Sequence, residues 1–596
     1  MTGELKTALY SAPLPASRQG PLYNAFSYPT KISPESVAVF IACHTKRGDR
    51  VLDVFGGSGT AGIAAILCER PTPRMLEMTK SLGISPDWGP RDAVVYEISV
   101  IGSLLARVMT CPPPPSEFEL AAKRLVQRAR LVAKNLYQTT GPDGEDGQVR
   151  YVIWSDVVRC PKCLIPTTYA DVRIRFEPLR FVDQHKCGCG FSGHPDEWER
   201  ETETFVDPWT KTTTTRRRRI PWRVYGRSLK GNWSRVANES DAAIESEVLD
   251  LPVPDASPIT PLRWGDLHRT GYHQGMTYLH DLYTPRNFYA LATLWEQIEH
   301  ESAHLRDALR LLVLSYNASH STLMTRVVLK KQSTDFVVTG AQSGVLYVSG
   351  LPVEKNVFSG VERKTGVFRQ AFSLLHGAKS RVEVVTASST RLDLADNSID
   401  YVFTDPPFGG YIPYSEINQI NELWLGHPTD PAEEAIISSA QNKDLIVYQQ
   451  LLTSVFSEVS RVMKPKADGT IVFHSAHASV WQALNLSLLD AGLSVAHAGI
   501  LDKTQASFKQ VNGHIAVSGD PLLLVRKTSR LSSKSPPTID ELIKEVMNDA
   551  DGPVPNSELS DERLYSRLVG AALVHGTPMT LDAKTFYASR AGGVYE

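Results

Sequence analysis

An α/β architecture is what this sequence predicts: one largely parallel sheet assembled from two stretches of chain, with a large region inserted between them. Three observations carry that expectation. A strand, a glycine turn and a helix run through RVLDVFGGSGTAG and AAILCERP. A second strand, AVVYEIS, follows and closes at Glu97. The same strand–helix rhythm then resumes only at residue 381, about 270 residues later, and so reads as the second half of one sheet.

Taken in order, residues 1–24 are rich in Pro, Ser and Gly and read as an arm. Ser33 is a good N-cap followed by Pro34 at the first helical position, which predicts a helix to about Thr45. The first half of the sheet domain spans 25–110 and ends in a helix through Leu104 and Val108. The inserted region, 111–380, opens with a charge-patterned helix over 116–137 and turns β-rich over about 151–205, where short alternating segments such as YADVRIRF lie between cysteine pairs. Helical patterning returns from Pro285 to Leu314, whereas 320–370 fits neither pattern cleanly. The second half, 381–527, reads as RVEVVTAS, SIDYVFTDPPFGG, a helix over Tyr448–Val462, then strands in GTIVFHSA, AGLSVAHAGILDK and PLLLVRK. After the linker SRLSSKSPP, residues 528–596 read as a separate helical module able to take protein partners.

Bulk properties exclude some classes. With 596 residues the chain exceeds a single core, and 42% hydrophobic and 21% charged residues are ordinary for a globular protein, so wholesale disorder is excluded. A net charge of −2 and a pI near 6.8 mean that any nucleic-acid function must rest on local basic surface. No signal-peptide pattern or run of about eighteen apolar residues occurs, which predicts a soluble, cytoplasmic protein without membrane contact.

VLDVFGGSGT sets Phe55, Gly57 and Gly59 on a strand-to-helix turn, where missing side chains let a ligand approach the backbone and the helix N-terminus. No Gly-Lys-Ser/Thr follows, so a phosphate loop is disfavoured. Glu97, at the end of the next strand, can accept from both hydroxyls of a ribose; a solvated strand-end carboxylate is its other reading. Asp405-Pro406-Pro407-Phe408 follows the apolar strand YVF and so lies at a strand C-terminal edge. Rigid prolines there suit the positioning of a poorly nucleophilic exocyclic amine, with Asp405 and a backbone carbonyl of the Pro406-Pro407 pair as acceptors and Phe408 as a flat face for a base. A plain tight loop is the bland alternative.

Cys160, Cys163, Cys187 and Cys189 form two short knuckles twenty-three residues apart, a pattern for a closed tetrahedral zinc site with a structural role. Because the second knuckle is Cys-x-Cys, His185 and His194 stay open as substitute ligands, and free thiols are the other reading. Residues 211–235 carry nine Lys or Arg and no acid. Arg216, Arg217, Arg218, Arg219, Arg223, Arg227 and Arg235, interleaved with Trp222, Tyr225 and Trp233, suit phosphate neutralisation and base stacking; a solvated charged loop is the alternative.

On these residues the sequence resembles the amino-methyltransferases, whose F-x-G-x-G cofactor turn and D/N/S-P-P-Y/F/W tetrapeptide correspond to Phe55–Gly59 and Asp405–Phe408. YPTKISPESV is similar to that family's segment upstream of the turn, with Tyr28, Pro29 and Lys31 in matching positions, and RVMKPKADGTIVFH to another shared segment. DPPFGGYIPYSEINQINELWLG, the cysteine cluster and DLYTPRNFYAL look more closely like zinc-ribbon-containing adenine-specific DNA methylases. The core resemblance covers about 230 residues, in 25–110 and 381–527. It implies a Rossmann-like class I methyltransferase fold, S-adenosylmethionine held by Tyr28, Pro29, Lys31, Asp53, Phe55, Gly57, Gly59 and Glu97, and catalysis at Asp405–Phe408. The implied reaction is methylation of adenine N6 in double-stranded DNA with the base flipped out, as in restriction or phage defence. RNA base methylation, or a silent nucleic-acid-binding subunit, is the alternative. One departure is plain: Ala387-Ser388-Ser389 stands where relatives often carry an acid for the cofactor's adenine.

Overall fold

The computed structural model describes residues 9–10, 14–16, 19–323, 325–330, 335–339, 346–503, 519–528, 536–550 and 560–591. They divide into two compact units, 1–112 with 371–415 and 429–596, and 113–370 with 416–428.

The first unit is built on an eight-stranded sheet. Its strands are β1 (Leu14–Ala16), β2 (Arg50–Asp53), β3 (Asp92–Glu97), β4 (Val382–Thr386), β5 (Ile399–Thr404), β6 (Met463–Val472), β7 (Leu493–Lys503) and β8 (Asp520–Lys527), in the spatial order β1-β7-β8-β6-β5-β2-β3-β4. All neighbours run parallel except β8, which is antiparallel to both β6 and β7. The expected α/β sheet of Rossmann-like order is therefore present, with β2 and β3 from the first stretch of chain and β4–β8 from the second. The strand order reverses between β2 and β5, so a crevice opens at their C-terminal ends, where such sheets bind ligands.

Buried aliphatic runs explain the parallel strands, since both faces must be covered: Val51, Leu52, Val94, Val95, Val402 and Phe403 are all essentially inaccessible. The expected helix after Ser33 forms as Pro34–His44, and the glycine turn leads into Thr60–Leu67. A further helix, Pro73–Ser81, begins just after Pro71 because Thr72 caps it through Met75 N and Pro73 occupies its first turn.

Two expectations need correction here. The arm over 1–24, part of which lies outside the described residues, contributes β1 at the sheet edge, and Tyr10 Oη sits 2.6 Å from Thr470 Oγ1 in the interior. The helices Ile539–Ala550, Asp561–His575 and Ala583–Ala591 are not a separate module, because Leu542, Leu564, Leu568 and Phe586 belong to the same buried cluster as Phe473 and Trp481. Gly570 lets the second of them approach β7 so closely that a Cβ would stand 2.8 Å from Ala498.

The second unit centres on the strand Asp146–Arg159, which pairs antiparallel with Arg219–Ser228, Val353–Lys355 and three other short strands; Gly231–Val236 extends the sheet. The β-rich part thus reaches well beyond 205 and takes in the basic tract, because Arg219–Ser228 pairs along the long strand with a register shift that leaves Trp222 out of the pairing. The helical stretch expected over 285–314 breaks into Pro285–Ile298 and Ala303–Leu314, at a turn where buried Glu301 takes charge-assisted bonds from Arg124 and Arg128. No helix among the described residues is long and apolar enough to cross a membrane.

Candidate active site

At the sheet's reversal point, the loops after β2, β3, β4 and β5 enclose a cavity of about 1040 Å³ including its open mouth. From β2 come Asp53, Phe55 and Gly57; from β3, Glu97 and Ser99; from β4, Ala387–Ser389; from β5, Asp405 and Pro407. Tyr28, Pro29 and Lys31 form another wall. Two motifs 350 residues apart in sequence thus share one space, joined by a hydrogen bond from Thr404 Oγ1 to Asp53 Oδ1 of 2.8 Å.

The turn owes its shape to its glycines. Gly57 has φ +51°, and a Cβ there would stand 3.4 Å from the Tyr28 ring on the cavity wall. Gly56 is tighter still, since a Cβ would fall 2.3 Å from Val95 Cγ1; its amide donates to the Tyr96 carbonyl at 2.9 Å. Glu97 is buried, and its two oxygens accept from Gly57 N at 2.5 Å and Ser99 N at 2.8 Å, which fixes the carboxylate against the turn.

Not every expected residue lies where the sequence places it. Gly59 does not line the cavity; it caps the following helix at φ +73°, where a Cβ would meet Ala106 at 2.7 Å. Lys31 lines the wall, but its ammonium donates to the Leu22 carbonyl at 2.9 Å, so the residue also anchors backbone. Pro406 and Phe408 are absent from the lining: the Phe408 ring packs edge-on against Phe473 with centroids 5.4 Å apart, inside the core. Phe408 therefore offers no open face, and Tyr411, 36% exposed and 6.5 Å away, is the exposed ring beside it.

Sequence reasoning missed Tyr414, Ser415, Thr429, Glu433 and Glu434, which complete the wall. Tyr414 and Ser415 lie within the YIPYSEIN continuation of the tetrapeptide, a signal that was available; the two glutamates carry no pattern. Burial, with a contribution from the Asp405 and Glu97 carboxylates, raises the Tyr414 hydroxyl well above its usual range, so it stays a donor. Glu434 is held by Ser415 Oγ at 2.6 Å, and Glu433 accepts from Thr390 Oγ1 at 3.1 Å beside the 387–389 segment.

Burial pushes the Asp53 carboxyl up to about 6 against the bonds from Thr404 and Phe55 N, which favour its charged form. A raised folded-state value means the folded chain holds the proton longer than the unfolded one. The resulting destabilisation is absent below about pH 4 and complete above about pH 6, on the order of 3 kcal/mol. Asp53→Asn should therefore shrink the loss of stability between pH 4.5 and 7.5. Denaturant unfolding of both proteins at the two pH values measures it, and an identical pH dependence would contradict it.

In the second unit the four cysteine sulfurs all lie within 4.8 Å of one another, with Cys160–Cys189 at 3.6 Å and Cys163–Cys187 at 3.7 Å. A tetrahedral zinc with bonds near 2.3 Å needs edges of about 3.8 Å, so the thiols fit that ion. His185 and His194 drop out of the candidate set, since His185 Nδ1 is 2.8 Å from Arg175 and His194 Nδ1 accepts from Asp196 N. Cys160 directly follows the long strand and belongs to a buried cluster with Val158, Tyr169 and Trp198.

The basic tract is neither a solvated loop nor an open phosphate comb. Arg217 and Arg219 both pair with the fully buried Asp156, Arg216 with Glu203 and Glu245, and Arg235 with Asp241. Trp222 donates to Asp171 and stacks on Phe176, over which Arg223 also lies. Of the tract's arginines and aromatics expected to meet nucleic acid, Arg218 and Arg227 are the exposed ones.

A family model described as DNA methylase matches residues 10–94. The matched segment contains β2, the glycine turn and the first half of β3, and it supports an amino-methyltransferase of the adenine and cytosine type. No curated protein matches. The solved structure "antibiotic-resistance methyltransferase Kmr" resembles the chain at 13% identity, over 28% of this chain and 73% of that one, with a TM-score of 0.16, too low to bear on fold or chemistry.

Proposed function

We propose that the chain is an S-adenosylmethionine-dependent methyltransferase acting on the N6 amine of adenine in double-stranded DNA, with the target base turned out of the duplex. The observation that carries the reading is the convergence of the glycine turn, Glu97 and Asp405 on one cavity. The match to DNA methylases supports it from the sequence side.

The residues present fit the cofactor: the cradle at Gly57 would be filled by a Cβ, and Glu97 is fixed beside it to receive ribose hydroxyls. Tyr28, Pro29, Asp53, Phe55, Gly57 and Glu97 would hold it. When bound, S-adenosylmethionine supplies an electrophilic methyl group on a sulfonium sulfur. Asp405 accepts one hydrogen of the target amine. A backbone carbonyl of the Pro406-Pro407 pair accepts the second hydrogen, with the Pro407 carbonyl held in place by Tyr448 Oη at 2.7 Å and Gly409 N at 3.1 Å. Two fixed acceptors localise the nitrogen lone pair, and the prolines hold them without reorganisation. Asp405 then takes the proton that the amine sheds. Stacking of the base passes from Phe408, which is buried, to Tyr411.

Given methyl-labelled S-adenosylmethionine, unmethylated duplex DNA should become labelled. A duplex with every adenine replaced by purine, which lacks the amine, should not; label in that duplex would overturn the reading. Arg218 and Arg227 are assigned to phosphate, and marking of DNA in a cytoplasmic restriction or defence system is the setting this activity suits.

Cys160, Cys163, Cys187 and Cys189 are assigned to a structural zinc, with four protein ligands leaving no place for water. Purified protein should hold about one zinc per chain, and Cys160→Ser should lower that content and speed amide exchange in the strands around residues 146–159, because metal and local folding are coupled. Elemental analysis and hydrogen exchange test this; freshly purified wild-type protein without zinc would rule the site out.

A further inference from the structure

The second unit holds another cavity, about 830 Å³ with its open mouth, which the methyl-transfer reading does not use. Arg217 and Arg219 enter its wall, each held on Asp156, at 3.1 and 2.8 Å. Four buried polar atoms on wall residues find no hydrogen-bond partner among the described residues: Arg217 Nε, Arg219 Nη2, Trp209 Nε1 and His280 Nδ1. His280 is 6% exposed, and its other nitrogen, Nε2, lies 2.8 Å from Asp207 Oδ2, so the ring is locked in place. Leaving one such group without a partner is costly, and finding four on the residues of one wall points to a bound molecule that supplies partners.

The lining narrows its chemistry. Glu203, Asp207, Glu245 and Asp281 share the wall with the arginines, which disfavours a bare phosphate or other compact anion. So many charged groups equally disfavour an apolar ligand. Phe205, Trp209 and Tyr283 add aromatic surface. Arginine forks donate to the ring nitrogens and carbonyl oxygens of bases, carboxylates accept from their N–H groups, and aromatic side chains stack on their faces. We propose that this cavity binds a purine nucleobase, presented either by a nucleic-acid strand as an unstacked base or by a free nucleoside.

Photolabelling of the full chain with 8-azidoguanosine and 8-azidoadenosine, followed by peptide mapping, tests the site. Label is expected within residues 203–209 or 274–283, falling at least fivefold in Trp209→Ala and in Phe205→Ala, while label at the glycine turn is unchanged. Excess guanosine or adenosine should displace it. Displacement also by an oligonucleotide with an extrahelical purine assigns the ligand to nucleic acid, and displacement by nucleosides alone to a free nucleoside; both support the site. No label in either segment, or displacement by inorganic phosphate as effective as by nucleoside, overturns it. Loss of this site would leave the methyl-transfer reading untouched, because its residues lie in the other unit.

Discussion

Asp405→Ala is expected to lower methyl transfer by about 10²–10³-fold or more, the size seen when a preorganised charge-stabilising group is removed. Binding of S-adenosylmethionine should stay within about twofold of wild type, since the carboxylate is assigned to the amine. The expectation rests on position. Asp405 follows β5 directly, β5 is tied to the glycine turn through Thr404 and Asp53, and the half-buried side chain lines the same cavity as Glu97. Asp405→Asn keeps the shape and one acceptor oxygen but cannot take up the proton, so it should fall between the two. Single-turnover transfer and isothermal titration separate chemistry from binding. An alanine variant with wild-type turnover would remove Asp405 from the mechanism.

Gly57→Val should abolish measurable cofactor binding, a loss of about 100-fold or more. Its φ of +51° is costly for a β-branched residue, and the added carbons would occupy the space in front of the Tyr28 ring. The amide that Glu97 holds at 2.5 Å would shift as well, loosening the carboxylate assigned to the ribose. Gly57→Ala is the milder companion: its Cβ meets Tyr28 only at ordinary contact distance, so the fold should survive with weakened binding. Titration calorimetry giving wild-type affinity for the valine variant would show that the cofactor binds elsewhere.

Much of the sheet was legible because its strands are short apolar runs bounded by turns, and buried parallel strands must be apolar on both faces. The glycine turn and Asp405 could be read for the same reason: each sits where a strand ends. What could not be read depends on tertiary partners. Nothing in the string RRRR reveals that Asp156, about sixty residues upstream, would draw in two of those arginines and a third from Arg200, turning an apparent phosphate comb into a buried ion-pair cluster. Phe408 reads as a stacking platform only until Phe473 and His474 are seen to cover it. The Ser-rich stretch near 530 suggests a detached module, yet the apolar stripes of the last helices find their partners on the outer sheet strands. The cysteine spacing left four sulfurs and two histidines in play, and geometry selects the sulfurs. Glu433 and Glu434 illustrate the reverse case, site residues whose only distinction is where the chain carries them.

Transfer of a methyl group to adenine N6 in DNA is the activity proposed for the cavity shared by Glu97 and Asp405. Nucleoside mass spectrometry of DNA and RNA, each incubated with purified protein and S-adenosylmethionine, tests it most directly. N6-methyladenine is predicted in DNA with the wild-type chain and not with Asp405→Ala. Methylation confined to RNA, methylation of cytosine in place of adenine, or no modified base in either nucleic acid would contradict the account.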